Sequence, residues 1–374
     1  MLRNWENTLK MNRIIPLKFK KEIYSYQIQI GNNFLNFIAK SIKNNFSFSK
    51  AIILTDKNVK SLYCKLLYKV FLKENIDTVF IDFPSGEKSK SAEIKEKIEG
   101  EMVKSGIDRN SLLIAFGGGV TGDLGGYIAA TYMRGIPFIQ IPTSLLAMVD
   151  SSIGGKVAIN HPLGKNIIGL FYQPKAVFID ISMLNSLPFK EYTNGISEII
   201  KASLIKDREL FNFIRMNHKK ILKKSKAELR EIIFRSCLIK SKIVMNDEKE
   251  SGKRKLLNYG HSIGHAIELL SNFKISHGNA VSIGMNTANL IAYKIAMLSL
   301  SDLLQIKETL SLFQLPVNVP KNIKTKDILA KLKIDKKNIN GNFNFTLLKK
   351  IGQGSINNII HKDIITEAIE EARY

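Results

Sequence analysis

From about residue 50 the chain alternates short apolar runs with longer amphipathic stretches: AIILT at 51–55, TVFIDF at 78–83, SLLIAF at 111–116, FIQIP at 138–142 and AVFID at 176–180. Short strands separated by helical segments imply a parallel sheet. Upstream, YSYQIQIG at 24–31 alternates with period two and predicts an antiparallel or edge strand. Beyond Pro188 the spacing becomes helical, over 194–217, 226–246, 261–272 and 278–300, with hardly a strand candidate. The expected organisation is an α/β half over 1–188 and a mostly α-helical half over 189–374, with no repeat or low-complexity linker.

A length of 374 residues suits two domains with sizeable cores. With 45% hydrophobic residues and a mean hydropathy of -0.03, the composition is that of a soluble globular chain. The first twenty residues hold no run long enough for a signal peptide or membrane span, and Met11 is an alternative start. Cys64 and Cys237 stand apart, so neither a disulfide framework nor a cysteine metal motif is suggested, which fits a reducing cytoplasm. The net charge of +23 points to nucleic acid, a membrane surface or an anionic substrate. Its lysines are dispersed, however, and the densest cluster, Lys219 to Lys226, reads as a solvated helix end. No nucleic-acid-binding signature accompanies them, so a nucleic-acid partner is not expected.

Gly117, Gly118, Gly119, Val120, Thr121, Gly122 and Asp123 follow one apolar run and precede a helical stretch. Strand, glycine turn and helix bring backbone amides and a helix N-terminus up to a pyrophosphate, the Rossmann-like arrangement. No acidic residue lies about twenty positions on, so Asp56, at the end of the first run, is the nearer candidate for a ribose. The competing explanation is a glycine turn that only lets the helix pack against the sheet.

Three of the six histidines, His261, His265 and His277, fall within one short stretch. His261 and His265 are four apart and share a helix face, as metal ligands or as packing residues. Three-ligand metal sites combine histidines with a carboxylate; Glu198, with Lys201 one turn on, is the best candidate. Lys240, Glu250, Arg254 and Asn258 precede His261, and Lys156, Lys165 and Asn166 lie in glycine-containing segments. Such cations and amides suit a substrate bearing phosphate and carboxylate.

The segment GGGVTGDLGGYIAATYMRGIPFIQIPTSLLAMVDSSIGGKVAINHPLGKNIIGLFYQP at 117–174 resembles the signature region of the 3-dehydroquinate synthases. SEIIK, KSKIVMNDEKESGKRKLLNYGHSIGHAIE and HGNA continue the resemblance in order, and roughly residues 50–360 are covered. The resemblance implies a homodimer with an α/β N-terminal Rossmann-like nucleotide-binding domain, a mostly α-helical C-terminal metal and substrate domain, and a site in the cleft between them. It makes Glu198, His261 and His277 ligands of a divalent metal, zinc or cobalt, and turns His265 toward the substrate. It places NAD against Asp56, Lys57, Asn58, Glu87, Lys90, Gly119, Val120, Thr121, Gly122, Asp123, Thr143, Ser144, Met183, Leu184, Asn185 and Ser186. Lys156 and Lys165 reach cofactor and substrate, and Asp150, Asn166, Lys201, Lys240, Glu250, Arg254 and Asn258 line the substrate pocket. Lys156, Lys201, Glu250, Asn258 and His265 are the catalytic candidates, and Arg134 is expected to reach the partner's phosphate site.

The implied reaction, a step of the shikimate pathway, turns 3-deoxy-D-arabino-heptulosonate 7-phosphate into 3-dehydroquinate. It runs by transient oxidation with NAD, phosphate β-elimination, reduction and aldol closure. The sequence departs from the family pattern at Asn279, at Ser144 and at Asn344, which stands where a basic residue commonly reaches the phosphate, leaving Lys349 to compensate. Rival readings are a sibling sugar-phosphate cyclase, a metal-dependent polyol dehydrogenase and a non-catalytic binding protein. Lys240 with Arg254 argues against the sibling, whose substrate lacks a carboxylate. Lys156, Lys165 and Asn258 argue against the dehydrogenase.

Overall fold

The computed structural model describes residues 25–335 and 342–374, so the leaderless amino terminus expected above lies outside the described residues. The first half contains β1 (Gln27–Gly31), β2 (Ala51–Asp56), β3 (Thr78–Phe83), β4 (Leu112–Gly117), β5 (Phe138–Pro142), β6 (Lys156–His161), β7 (Gly164–Phe171) and β8 (Ala176–Asp180). Six of these form one parallel sheet in the order β3-β2-β4-β5-β8-β1. The chain turns from β2 to β3 on one side, then crosses back to β4 on the other, so the switch point lies between β2 and β4. Ligands of such sheets bind outside the strand ends at that crevice.

The edge position of β1 agrees with the alternation of YSYQIQIG, but its direction is parallel, with Gln27 opposite Ala176. Alternation reports half-exposure, whereas direction is set by the helical crossover that follows, α1 (Leu35–Asn45). Strand side chains alternate between two cores. Ile114, Phe116, Ile139 and Ile141 face one layer, while Leu113, Ala115 and Phe138 face the layer that holds Leu124 and Ile128. The helices of this half are completed by α2 (Lys57–Lys73), α3 (Ala92–Lys104) and α4 (Gly119–Thr131).

The second half begins with α5 (Phe189–Lys206), α6 (Arg208–Met216), α7 (His218–Leu222), α8 (Lys226–Asn246), α9 (His261–Leu270) and α10 (His277–Lys294). It continues with α11 (Leu300–Leu312), α12 (Thr325–Asp335) and α13 (Lys362–Glu371). Its core is continuous with one face of the sheet, running from Ile114 through Ile199 and Ile263 to Ile365. The single helix expected over 194–217 is two, broken at Asp207, whose backbone is extended at φ -150. The Asp207 side chain accepts from Leu210 N at 2.9 Å and is held by Arg235 at 2.7 Å, which caps α6.

Two antiparallel hairpins depart from the sequence expectation: β6 with β7, and β9 (Asn342–Lys350) with β10 (Gln353–His361) in the otherwise helical half. The Lys219–Lys226 cluster is only partly a solvated helix end. Lys224 Nζ donates to the carbonyls of Leu184 and Leu187 at 2.6 and 2.8 Å and lies 5.3 Å from the Tyr192 ring centre. No helix among the described residues is long and apolar enough to cross a membrane.

Candidate active site

One cavity of about 1080 Å³ opens at the sheet's switch point and extends between the two halves. Asp56, at the end of β2, caps α2 by accepting from Asn58 N at 3.0 Å and Val59 N at 3.2 Å, and receives Ser85 Oγ at 2.8 Å. The glycine turn ends β4, and Gly118 precedes α4 with no side-chain cap, so the first amides of that helix face the cavity.

The helical half contributes the histidines through a close helix crossing. Gly260, at φ +76, precedes α9, and a Cβ on Gly284 would lie 1.9 Å from the Gly260 carbonyl, so α10 passes against the start of α9. Gly278 N donates to Asn194 Oδ1 at 3.1 Å, pinning the start of α10 to α5 one turn before Glu198. His261, His277 and Glu198 therefore converge from three helices.

Glu198 Oε1 lies 3.7 Å from His261 Nε2 and 3.6 Å from His277 Nε2, too far for hydrogen bonds, and it has no hydrogen-bond partner among the described residues. Ligand atoms about 2.1 Å from one tetrahedral ion lie roughly 3.4 Å apart, so this spacing and the orphaned buried oxygen fit a shared divalent metal. His261 Nδ1 donates to the Tyr259 carbonyl at 3.1 Å and His277 Nδ1 to Glu268 Oε2 at 3.2 Å. Each bond holds the tautomer that leaves Nε2 facing Glu198. His265 is exposed, its ring 5.0 Å from that of His261 and 5.9 Å from that of His277, beside the trio.

Burial alone would raise the Glu198 carboxyl, but Lys201 and His277 outweigh it and hold the pKa at about 2. Burial lowers the His277 imidazole, yet Glu198 and Glu268 reverse this and lift it to about 9. His261 is pushed well below its ordinary value by burial, then by Lys201, His265 and His277.

The cations arrive already matched with anions. Lys201 pairs with Glu198, Lys240 with Asp150 and Lys156 with Glu250, while Asn258 Nδ2 donates to Glu250 at 2.6 Å. Arg254, 2% exposed, donates to the Gly154 carbonyl at 3.2 Å and to that of Glu248. Lys90 is buried beneath the floor, bonded to Asp123 at 2.6 Å and to Asn166. Arg134, Asn166 and Glu250 hold positive φ of 67°, 55° and 59°, a strained backbone for the arginine and the glutamate.

Most predicted residues line this one cavity: Asp56, Asn58, Glu87, Lys90, Gly119, Val120, Thr121, Asp123, Thr143, Ser144, Asp150, Lys156, Lys165, Asn166, Ser186, Lys201, Lys240, Glu250, Arg254, Asn258, His261, His265 and His277. Glu198 lies directly behind the two histidines. Lys57, Gly122, Met183, Leu184 and Asn185 do not line it, and Met183 and Leu184 are core residues. A Cβ on Gly122 would sit 2.6 Å from Gln140 Oε1, so packing explains this glycine. Arg134 is exposed away from the cavity. Asn344 bonds Asn357 at 3.3 Å, and neither it nor Lys349 lines the cavity.

Two functional residues were not read from the sequence. Glu268 lies seven positions after His261 on the same helix face, a signal that could have found it. Asp247 organises the loop that carries Glu250 and Arg254, accepting from Arg254 N at 2.9 Å, Gly252 N at 2.7 Å and Ser251 N at 2.9 Å. These bonds, that of Arg254 foremost, hold its pKa at about 2. Asp247→Ala is therefore expected to release the loop and raise KM for an anionic sugar substrate by about ten- to a hundredfold, with metal content unchanged. Steady-state kinetics beside metal analysis checks both parts.

Residues 80–194 match the family model described as 3-dehydroquinate synthase N-terminal, and residues 195–338 match that described as 3-dehydroquinate synthase C-terminal. A 3-dehydroquinate synthase of Thermodesulfovibrio yellowstonii is 43% identical over 349 residues, covering 93% of this chain and 97% of the relative. That of Dictyoglomus thermophilum is 45% identical, covering 94% and 96%. Among solved structures, a 2-deoxy-scyllo-inosose synthase complexed with carbaglucose-6-phosphate, NAD+ and Co2+ superposes with a TM-score of 0.84 at 27% identity, covering 92% of this chain and 96% of that one. The 2-epi-5-epi-valiolone synthase of Streptomyces hygroscopicus, with NAD+ and Zn2+ bound, shares the fold at a TM-score of 0.88 and 24% identity, covering 96% and 99%. Matched along both halves by these models and relatives, the chain belongs to the 3-dehydroquinate synthase family.

Proposed function

We propose that this protein converts 3-deoxy-D-arabino-heptulosonate 7-phosphate to 3-dehydroquinate and phosphate with NAD and a divalent metal, zinc or cobalt. The observation that carries this reading is the convergence, in one cavity, of a carboxylate–dihistidine trio, a dinucleotide crevice and a set of cations suited to two anionic groups. The family supports the same reaction.

When bound, the ion supplies Lewis acidity and NAD a reversible hydride acceptor. Glu198, His261 and His277 would hold the ion. Asp56, Asn58, the turn at Gly119–Asp123, Thr143, Ser144 and Ser186 would hold NAD, with Glu87 and Lys90 stiffening the crevice and Lys57, Met183, Leu184 and Asn185 flanking it. Lys240 and Arg254 are assigned to the substrate carboxylate, Lys156 and Lys165 to anionic groups of both cofactor and substrate, and Asn166 and Asn258 to the remaining polar groups of the substrate. His265, with Lys156, Lys201 and Glu250, is assigned to proton handling, and fixed hydrogen bonds among these groups orient the substrate without reorganisation.

We further assign an α/β domain to 1–188 and a helical metal and substrate domain to 189–374, and a homodimer in which Arg134 reaches the partner's phosphate site; its exposure away from its own cavity supports this. A cytoplasmic location accords with the unpaired Cys64 and Cys237. No nucleic-acid partner is proposed.

The carboxylate assignment separates this reading from a sibling cyclase. The heptulosonate phosphate is expected to be turned over at least about a thousandfold faster than glucose 6-phosphate or sedoheptulose 7-phosphate, because those carry no carboxylate for Lys240 and Arg254 to bind. Arg254→Met should shrink that ratio. Equal or faster turnover of either sugar phosphate would transfer the chain to the sibling activity.

A further inference from the structure

Glu268 is 6% exposed and divides its two oxygens between the two halves of the molecule. Oε2 accepts from His277 Nδ1 at 3.2 Å, and Oε1 accepts from Lys165 Nζ at 3.0 Å. The histidine starts α10, whereas the lysine belongs to β7, on the opposite wall of the cleft. Lys165 is also 3.7 Å from Glu87 Oε1 and 5.5 Å from the Phe273 ring centre, and it lines the cavity together with Gly119 and Asp123. No other described carboxylate bonds both a residue of the histidine–carboxylate trio and a lysine of the α/β half.

We propose that Glu268 is a positioning residue that couples the metal site to anion binding at Lys165, a role that rests on the metal and NAD reading given above. One carboxylate serves an imidazole and an ammonium at once. A divalent ion that displaces the proton from the far nitrogen of His277 raises the positive charge at that end of the ring, which draws Glu268 toward the histidine. The same ion repels the Lys165 ammonium, which is then free to turn to an anion in the cavity. An anion that takes up Lys165 conversely leaves Glu268 wholly to His277. Each event therefore favours the other, and reciprocity is required of such a coupling.

The test titrates the intact protein with Co2+, following its visible absorption, with and without saturating NAD. The native protein is expected to bind Co2+ at least about fivefold more tightly when NAD is present. In Glu268→Gln the amide can present N–H to Nδ1 and place the imidazole proton on the metal-facing nitrogen. Co2+ affinity should then fall by about 10- to 100-fold, the cobalt spectrum should change, and the NAD effect should vanish. Lys165→Met should keep the Co2+ affinity within about threefold but lose the NAD effect. If Glu268→Gln fails to fold, Lys165→Met decides alone. Native affinity, spectrum and NAD enhancement in Glu268→Gln, or an intact NAD effect in Lys165→Met, would overturn the proposal. Native protein that binds no Co2+ would overturn the metal reading itself, and the coupling with it.

Discussion

Glu198→Gln protein is expected to turn over the heptulosonate phosphate at less than about a thousandth of the native rate, and to lose tightly held metal. The substitution keeps side-chain volume and removes the one anion among the three converging ligand atoms. It also leaves Lys201, 2% exposed, without its ion-pair partner. Removing one member of a buried pair destabilises by about 3 kcal/mol or more, so the metal-free variant should also melt below the metal-free native protein. Metal analysis of the purified variant, thermal melts and single-turnover phosphate release check the three parts. A variant that melts low yet binds metal and turns over normally would make Glu198 a purely structural anion.

Metal affinity is expected to rise about tenfold per pH unit from pH 6.5 upward and to level off above about 9. The sign follows from His277, whose pKa in the metal-free fold is raised from 6.5 to about 9. Its imidazolium, held by Glu198 and Glu268, stabilises the metal-free protein below about pH 6.5, and that contribution is lost as pH rises through about 9. An ion needs the neutral ring, so across this window each ion bound displaces a proton. His261, its pKa pushed well below the ordinary value, is already neutral and contributes no second proton. Co2+ or Zn2+ titration in several buffers of different ionisation enthalpy would read both the slope and the proton count. A slope near two would mean that His261 is also protonated in the metal-free site, and a flat profile would mean either that His277 is already neutral there or that it is not a ligand.

The parallel sheet was legible because each of its central strands is a compact apolar run between helical segments. The predicted runs at 78–83, 138–142 and 176–180 coincide with β3, β5 and β8. The two hairpins were not. Residues of β6 and β7 carry Lys156, Lys165 and Asn166, polar groups required by the cleft, which interrupt the apolar alternation that marks a strand. β9 is apolar enough, with Phe343, Phe345, Leu347 and Leu348 buried, but its pairing partner β10 is largely polar, so neither the hairpin nor its register is local information. The break at Asp207 likewise depends on Arg235, far along the chain in α8.

The site was legible to the extent that its residues form local patterns: the glycine turn, the histidine spacing and the clustered cations. The family resemblance selected His261 and His277 over His265 for the ion, and the structure adds a physical ground, since their Nε2 atoms face the orphaned Glu198 oxygen. Glu268 escaped because its meaning comes from His277 and Lys165, which lie on other elements. Asp247 escaped because its partners are backbone amides of a loop, which no residue pattern advertises.

The central claim is tested most directly by following phosphate release and 3-dehydroquinate formation from 3-deoxy-D-arabino-heptulosonate 7-phosphate, using metal-loaded protein with NAD in catalytic amount. Stoichiometric appearance of both products with no net accumulation of NADH, abolished in Glu198→Gln, is the expected result. Folded, metal-loaded protein that forms neither product, or that accumulates NADH in proportion to substrate consumed, would contradict the account.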